Sequence, residues 1–243
     1  MTARATPAVA TAATYELSAI SDGTLLALKW LALVLMTGDH VNKFLLGSES
    51  AWLFGAGRLV TPIFAIVLGI NLARPSALAS NAVDRTVGRL LVMGVVSTLP
   101  FMLLGGDIVV GWPLNVLFTL GVAAIVIQCL TRPSPQHRTA LAVGFFLVGG
   151  LLVEYWWPAI ALTVGTWLYL RGRSRKGVLL ASFGLLGLCA INGNAWALLV
   201  VPLFALATRV SIPAFRRTRG FFYLYYPAHL LAILAVAHLK PLL

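Results

Sequence analysis

The stretch Leu25–Leu45, "LLALKWLALVLMTGDHVNKFL", decides the fold. It opens as an apolar run broken only by Lys29, then places Asp39, His40 and Lys43 close together before its end. A helix needs about 20 mostly apolar residues to cross the hydrocarbon core of a bilayer. The stretch therefore reads as a membrane span whose far end carries ionisable groups. The rest of the 243-residue chain agrees: it is 60% hydrophobic and only 10% charged, with mean hydropathy +0.92, whereas soluble domains carry about 25% charged residues. The apolar runs are continuous. They do not alternate in the manner of membrane strands, so the expected class is an all-α integral membrane protein. Residues 24–243 form one polytopic domain in this reading. Residues 1–23, Ala/Thr-rich and without a continuous apolar core, are expected to be a disordered cytoplasmic tail and not a signal peptide.

Nine spans are expected, at 24–46, 52–72, 86–104, 114–131, 139–153, 157–170, 177–190, 195–209 and 221–240. The count drops to eight if one of the short late segments re-enters. Charge sets the orientation. Four alternate connections hold Arg74, Arg85 and Arg89; Arg132 and Arg138; Arg171, Arg173, Arg175 and Lys176; and Arg209, Arg216, Arg217 and Arg219. The intervening connections hold no Lys or Arg but contain Glu49, Asp107 and Glu154. Cytoplasmic loops collect Lys and Arg, so the amino terminus is expected in the cytoplasm and the carboxyl terminus outside. The same distribution explains the net charge of +11 without nucleic-acid binding. Cys129 and Cys189 lie in different apolar runs and are read as unpaired. No metal-ligand spacing is present, so no metal is expected.

At a rise of 1.5 Å per residue, His40 falls about 9 Å below the outer end of the first span, and Arg58 about 9 Å below that of the second. Lys29, Met36, His40 and Lys43 are spaced to share one helix face, while Asp39 points about 100° away from His40. Ionisable groups at such depth usually face a bundle interior or a watery cavity. Asp39 and Arg58 could form an ion pair that only ties two helices together, and His40 could be a satisfied interior histidine. Alternatively they do chemistry: an imidazole accepts a proton near neutral pH, and a carboxylate can hold its tautomer. Pro62 cannot donate to the carbonyl of Arg58, four residues back. In the last span, "GFFYLYYPAHLLAIL" (Gly220–Leu234), Pro227 likewise spares the carbonyl of Tyr223. His229 lies about 12 Å above the inner edge of that span and is expected to line a cavity. Tyr223, Tyr225 and Tyr226 suit an interfacial aromatic belt or the same cavity. Arg216, Arg217 and Arg219, with Arg171, Arg173 and Arg175, suit either topology with anionic lipid or the phosphates of a coenzyme. The small residues of "GVLLASFGLLG" (Gly177–Gly187) read as close helix packing.

The first span's Lys followed by Met-x-x-Asp-His, the second's Gly-Arg-x-x-x-Pro-Ile-Phe, and the last span's aromatic-Tyr-Pro-x-His resemble the TraX family of conjugative-plasmid membrane proteins; the middle of the chain matches only in hydropathy. More distantly the chain resembles the wider group of membrane acyltransferases. The TraX resemblance implies an enzyme of the bacterial inner membrane. It would move an acetyl group from cytoplasmic acetyl-CoA to the amino-terminal amine of a pilin subunit. On this reading His40 is the base, Asp39 steadies its imidazole, and Arg58 or a freed backbone group stabilises the developing oxyanion. His229, Tyr225, Tyr226, Tyr223 and Lys29 line the path, and the six arginines above hold the coenzyme. An acetyl-imidazole on His40 remains open as a two-step route. So do two rival readings, a sugar O-acetyltransferase and a non-enzymatic transporter or pilus assembly factor.

Overall fold

The computed structural model describes residues 20–105, 112–131, 135–213 and 220–239. Arg132, Arg216, Arg217, Arg219 and nearly all of the expected tail lie outside them. The described residues are helical throughout apart from turns and one isolated bridge between Leu114 and Val153.

Helix α1 (Asp22–Leu45) starts where Ser21 accepts a hydrogen bond from the Thr24 amide, with Asp22 in the first turn and Lys43 in the last; both charges complement the helix dipole. A tight turn follows, locked by the buried Asn42, whose amide both donates to the Ser50 carbonyl and accepts from the Ser50 amide. Ser50 then caps α2 (Ala51–Gly57). The expected second span is broken: α2 ends at Gly57, and α3 (Val60–Ala73) begins after a turn at Arg58 and Leu59. The break sits where Pro62 removes a backbone donor.

The chain continues through α4 (Pro75–Ala79), α5 (Ala82–Leu103), α6 (Val116–Thr131), α7 (Pro135–Leu152), α8 (Trp156–Gly172) and α9 (Arg175–Asn192). A 3-10 turn (Trp196–Leu199), α10 (Val200–Ala207) and α11 (Phe221–Leu239) complete it. Each of the nine expected spans thus holds a helix among the described residues. Among the described residues, five helical stretches are long and apolar enough to cross a membrane: Asp22–Leu45, Ala51–Ala73, Ala82–Leu103, Arg175–Asn192 and Phe221–Leu239.

Side chains on the outside are apolar too. Val95 and Leu99 of α5, Val148 of α7, and Leu179 and Leu186 of α9 are all exposed, as expected of a bundle whose solvent is lipid. Helix α8 differs from its neighbours. Every residue from Pro158 to Trp167 is buried, and it packs against α3, α6, α7 and α9, so it is an inner pillar. The α8–α9 contact is close because a Cβ on Gly184 would collide with the backbone of Leu162, consistent with reading the small residues as packing. Cys129 and Cys189 are both free.

Helices α1 and α11 run side by side in the same direction. Going up both, Trp30 meets Phe221 (ring centroids 5.0 Å apart), the Tyr225 hydroxyl meets Thr37 Oγ1 (2.7 Å), and His40 meets His229. The aromatic run of α11 is therefore a zipper along α1, not only a belt.

Candidate functional site

A cavity of about 470 Å³ runs along one face of α1, a size typical of small-molecule sites. The α1 residues on its wall include Asp22, Lys29, Leu33, Met36, Asp39 and His40. From Asp22 to His40 a helix rises about 27 Å, so the cavity follows most of the depth of a bilayer. One end, beside the start of α1, carries Asp22, Lys29, Arg74 and Arg89, with Gly220 beside them. Its middle is apolar, with Val60, Phe64, Leu117 and Leu120. Its far end collects Asp39, His40, Gly57, Glu154 and Tyr155.

Arg58 binds Asp39 through Nη2, which donates to both carboxylate oxygens at 2.9 and 2.8 Å. Both side chains are about 15% exposed. Arg58 is steadied further by its Nε bond to the Phe54 carbonyl (3.2 Å), by Asn192 Oδ1 (3.4 Å), and by the Phe54 ring beneath it. The contact depends on Gly57, where a Cβ would sit 2.5 Å from Cβ and Cγ of Asp39. The ion pair weighed from sequence is thus formed, and it brings Asp39 and Arg58 to one depth.

His40 takes a different partner. Its Nδ1 lies 2.7 Å from His229 Nε2, and the two rings lie edge to edge and nearly coplanar, with centroids 5.0 Å apart and 9° between planes. His229 Nδ1 lies 3.0 Å from the Tyr225 carbonyl. A carbonyl only accepts, so the hydrogen there is on His229 Nδ1. In the neutral ring its Nε2 then holds a lone pair and accepts from His40 Nδ1. This leaves Nε2 of His40 as the lone-pair nitrogen of a ring on the cavity wall. The expectation that Asp39 holds the His40 imidazole is corrected: His229 does so, because Asp39, one residue round the helix, points at α2 and is taken by Arg58.

Tyr223, Tyr226 and Lys29 line the cavity, Lys29 also standing 4.8 Å over the Phe222 ring. His229 and Tyr225 do not line it. His229 is buried behind His40, and Tyr225 stacks on His229 at 5.3 Å while its hydroxyl bonds Thr37, which itself donates to the Leu33 carbonyl. Arg171, Arg173 and Arg175 are exposed at the α8–α9 junction and are not among the cavity residues. Among the described residues the cations at the cavity end beside the start of α1 are Lys29, Arg74 and Arg89, with Arg74 ion-paired to Asp22; the sequence reading assigns Arg74 and Arg89 only to topology.

Glu154 and Tyr155 were likewise missed as site residues. They lie in the turn between α7 and α8, which dips to the cavity. The Glu154 amide donates to the Leu114 carbonyl (2.8 Å), and Thr119 Oγ1 donates to the Glu154 carbonyl (2.7 Å). Tyr155 and Trp156 both adopt left-handed backbone, φ +60° and +48°, which is costly for side chains of this bulk. Burial pushes the Glu154 carboxyl up to about 7, against the opposing pull of Lys43, a hydrogen bond from the Val116 amide, and Arg58. The sequence signal was a single acidic residue in a connection without cations.

The family model described as "TraX protein" matches residues 24–237. Among curated proteins the chain is similar to "Protein TraX" of Escherichia coli and to "Protein TraX" of Escherichia coli strain K12. Each is 34% identical over 139 residues, covering 57% of this chain and 49% of the relative. The chain therefore spans about half the length of the curated relatives it matches. No solved structure matches it significantly.

Proposed function

This chain belongs to the TraX family, and on that premise we propose that it is an acetyltransferase of the bacterial inner membrane. It would have nine spans and a cytoplasmic amino terminus, and move an acetyl group from cytoplasmic acetyl-CoA to the amino-terminal amine of a conjugative pilin subunit. The observation that carries the reading is one cavity joining a cationic end to His40 and Asp39, with Arg58 bonded to Asp39 but not itself on the cavity wall. The parallel course of α1 and α11 supports an odd number of crossings.

The residues along the cavity suit the donor. Lys29, Arg74 and Arg89 offer charge-assisted bonds to phosphates at the inner end, and Arg216, Arg217 and Arg219 immediately precede Gly220 there. The apolar middle accepts a long, flexible thioester arm. At the far end the amine nitrogen attacks the thioester carbon, a C–N bond forms and the C–S bond breaks. Nε2 of His40 takes a proton from the attacking nitrogen and returns it to the departing sulfur. His229 Nε2 accepts from Nδ1 of the His40 imidazolium, and the Tyr225 carbonyl accepts from His229 Nδ1. The Arg58 guanidinium, bonded to Asp39 at the far end of the cavity, would favour negative charge developing on the carbonyl oxygen.

The test uses purified protein, labelled acetyl-CoA and a peptide with the pilin amino-terminal sequence. The wild type should transfer label to the peptide amine. His40→Ala should lose the transfer by about 10²–10⁴-fold. Equal transfer by both proteins would refute the assignment.

A further inference from the structure

The acceptor amine raises a proton count that His40 alone does not close. An α-amine has a reference pKa of about 7.7–8.0, so at neutral pH it arrives mostly as an ammonium with three protons. One must leave before the nitrogen can attack. A second leaves as the amide forms, and it is this one that His40 can hand to the sulfur. The net reaction, ammonium plus thioester giving amide, thiol and one free proton, needs a second acceptor for the first proton.

We propose that Glu154 is that acceptor: its carboxylate, presented to the far end of the cavity by the turn between α7 and α8, receives the incoming ammonium and removes its first proton. The inference rests on the acetyltransferase reading and assigns a further group to the same site. Three independent features support it. Glu154 shares the cavity end with His40 and Asp39. The turn that carries it holds two consecutive left-handed residues, and three hydrogen bonds clamp it in place: the Leu114 amide to the Leu152 carbonyl, the Glu154 amide to the Leu114 carbonyl and the Trp156 amide to the Val153 carbonyl. Asp39, the other carboxylate there, is already taken by Arg58, which leaves Glu154 as the carboxylate that can change protonation state at low cost. The charged groups acting on it are Lys43 and Asp39 from α1 and Arg58 from the α2–α3 turn, with the phenols of Tyr155 and of Tyr226 on α11 nearby. Its raised affinity for protons suits an exchange with an amine that titrates near neutrality.

A purely structural role is the competing account, since the Glu154 side chain also accepts from the Val116 amide at the start of α6. Glu154→Gln keeps an oxygen for that amide and removes the base. The experiment measures turnover of two acceptors in the same preparation: a peptide with a free α-amine, and its hydrazide analogue, whose terminal nitrogen is already neutral at pH 7. The amine-to-hydrazide ratio does not depend on how much protein is folded, so Glu154→Ala can be read the same way if the Gln variant inserts poorly. The ratio should fall about 100-fold in the variant at pH 6.5, and the deficit should shrink about tenfold per pH unit toward pH 8 as solution deprotonates the amine. A ratio equal to wild type at every pH would overturn the assignment of Glu154. A wild type that acetylates neither acceptor would overturn the acetyltransferase reading itself.

Discussion

At the residue scale the deciding arrangement is a chain of lone pairs. The Tyr225 carbonyl fixes the hydrogen on His229 Nδ1, His229 Nε2 fixes the hydrogen on His40 Nδ1, and the free lone pair is left on the cavity-lining ring. The partner of His40 must therefore be an acceptor. His229→Gln, whose amide oxygen can still accept, should retain more transfer activity than His229→Leu. His229→Leu should lose about 10²-fold in kcat, with little change in KM for acetyl-CoA. Steady-state kinetics on both variants checks this, and equal activity would remove His229 from the account. Part of this site was legible in the sequence and part was not. Asp39, His40 and Arg58 stood out because charged side chains are costly at membrane depth. The His40–His229 pairing did not. Depth arithmetic started α11 at the inner edge, about 12 Å from His229, whereas Phe221 in fact lies beside Trp30, eight residues up α1 from Asp22.

At the scale of elements, two short connections hold the site. The α2–α3 break lets Arg58 turn inward, and Gly57 gives Asp39 room to reach it. Gly57→Ala should push Asp39 aside and loosen the ion pair. That would lower stability by about 1–3 kcal/mol, the usual cost of overpacking, and reduce activity with it. Thermal unfolding and turnover in detergent measure both, and an unchanged melting temperature would contradict the close contact. The break was only half legible: Pro62 frees the Arg58 carbonyl, but the span at 52–72 reads as continuous in the sequence. The α7–α8 turn was not, because its left-handed residues are Tyr155 and Trp156 rather than glycines, and nothing local in the sequence marks the bend. The turn also predicts a pH effect. The Glu154 carboxyl is raised by burial from 4.5 to about 7, so the folded state binds this proton more tightly than the unfolded chain. Its contribution is full below pH about 4.5 and falls as pH rises through about 7. Glu154→Gln should therefore show a smaller loss of melting temperature between pH 6 and pH 8 than wild type. An identical pH dependence would mean the carboxyl is not held in this way.

At the scale of the molecule, hydropathy and charge made the helical membrane class and the position of the long helices readable, but not the short α4 or the break between α2 and α3. They did not reveal that α8 is an inner pillar, since an apolar run looks the same whether it faces lipid or protein. The proposed orientation predicts that, in a chain with Cys129 and Cys189 replaced by Ser, a cysteine at Ser48 reacts with an impermeant thiol reagent from outside. A cysteine at Ser174 should react only after the inner face is opened, and the reverse pattern would invert the topology. That orientation lets a donor enter from the cytoplasm and an acceptor arrive from the other side. The most direct measurement is the intact mass of pilus subunits from cells carrying this protein, its His40→Ala variant, or neither. A subunit heavier by one acetyl group at its amino terminus only with the wild-type protein is the expected result; subunits of identical mass in all three would contradict the account.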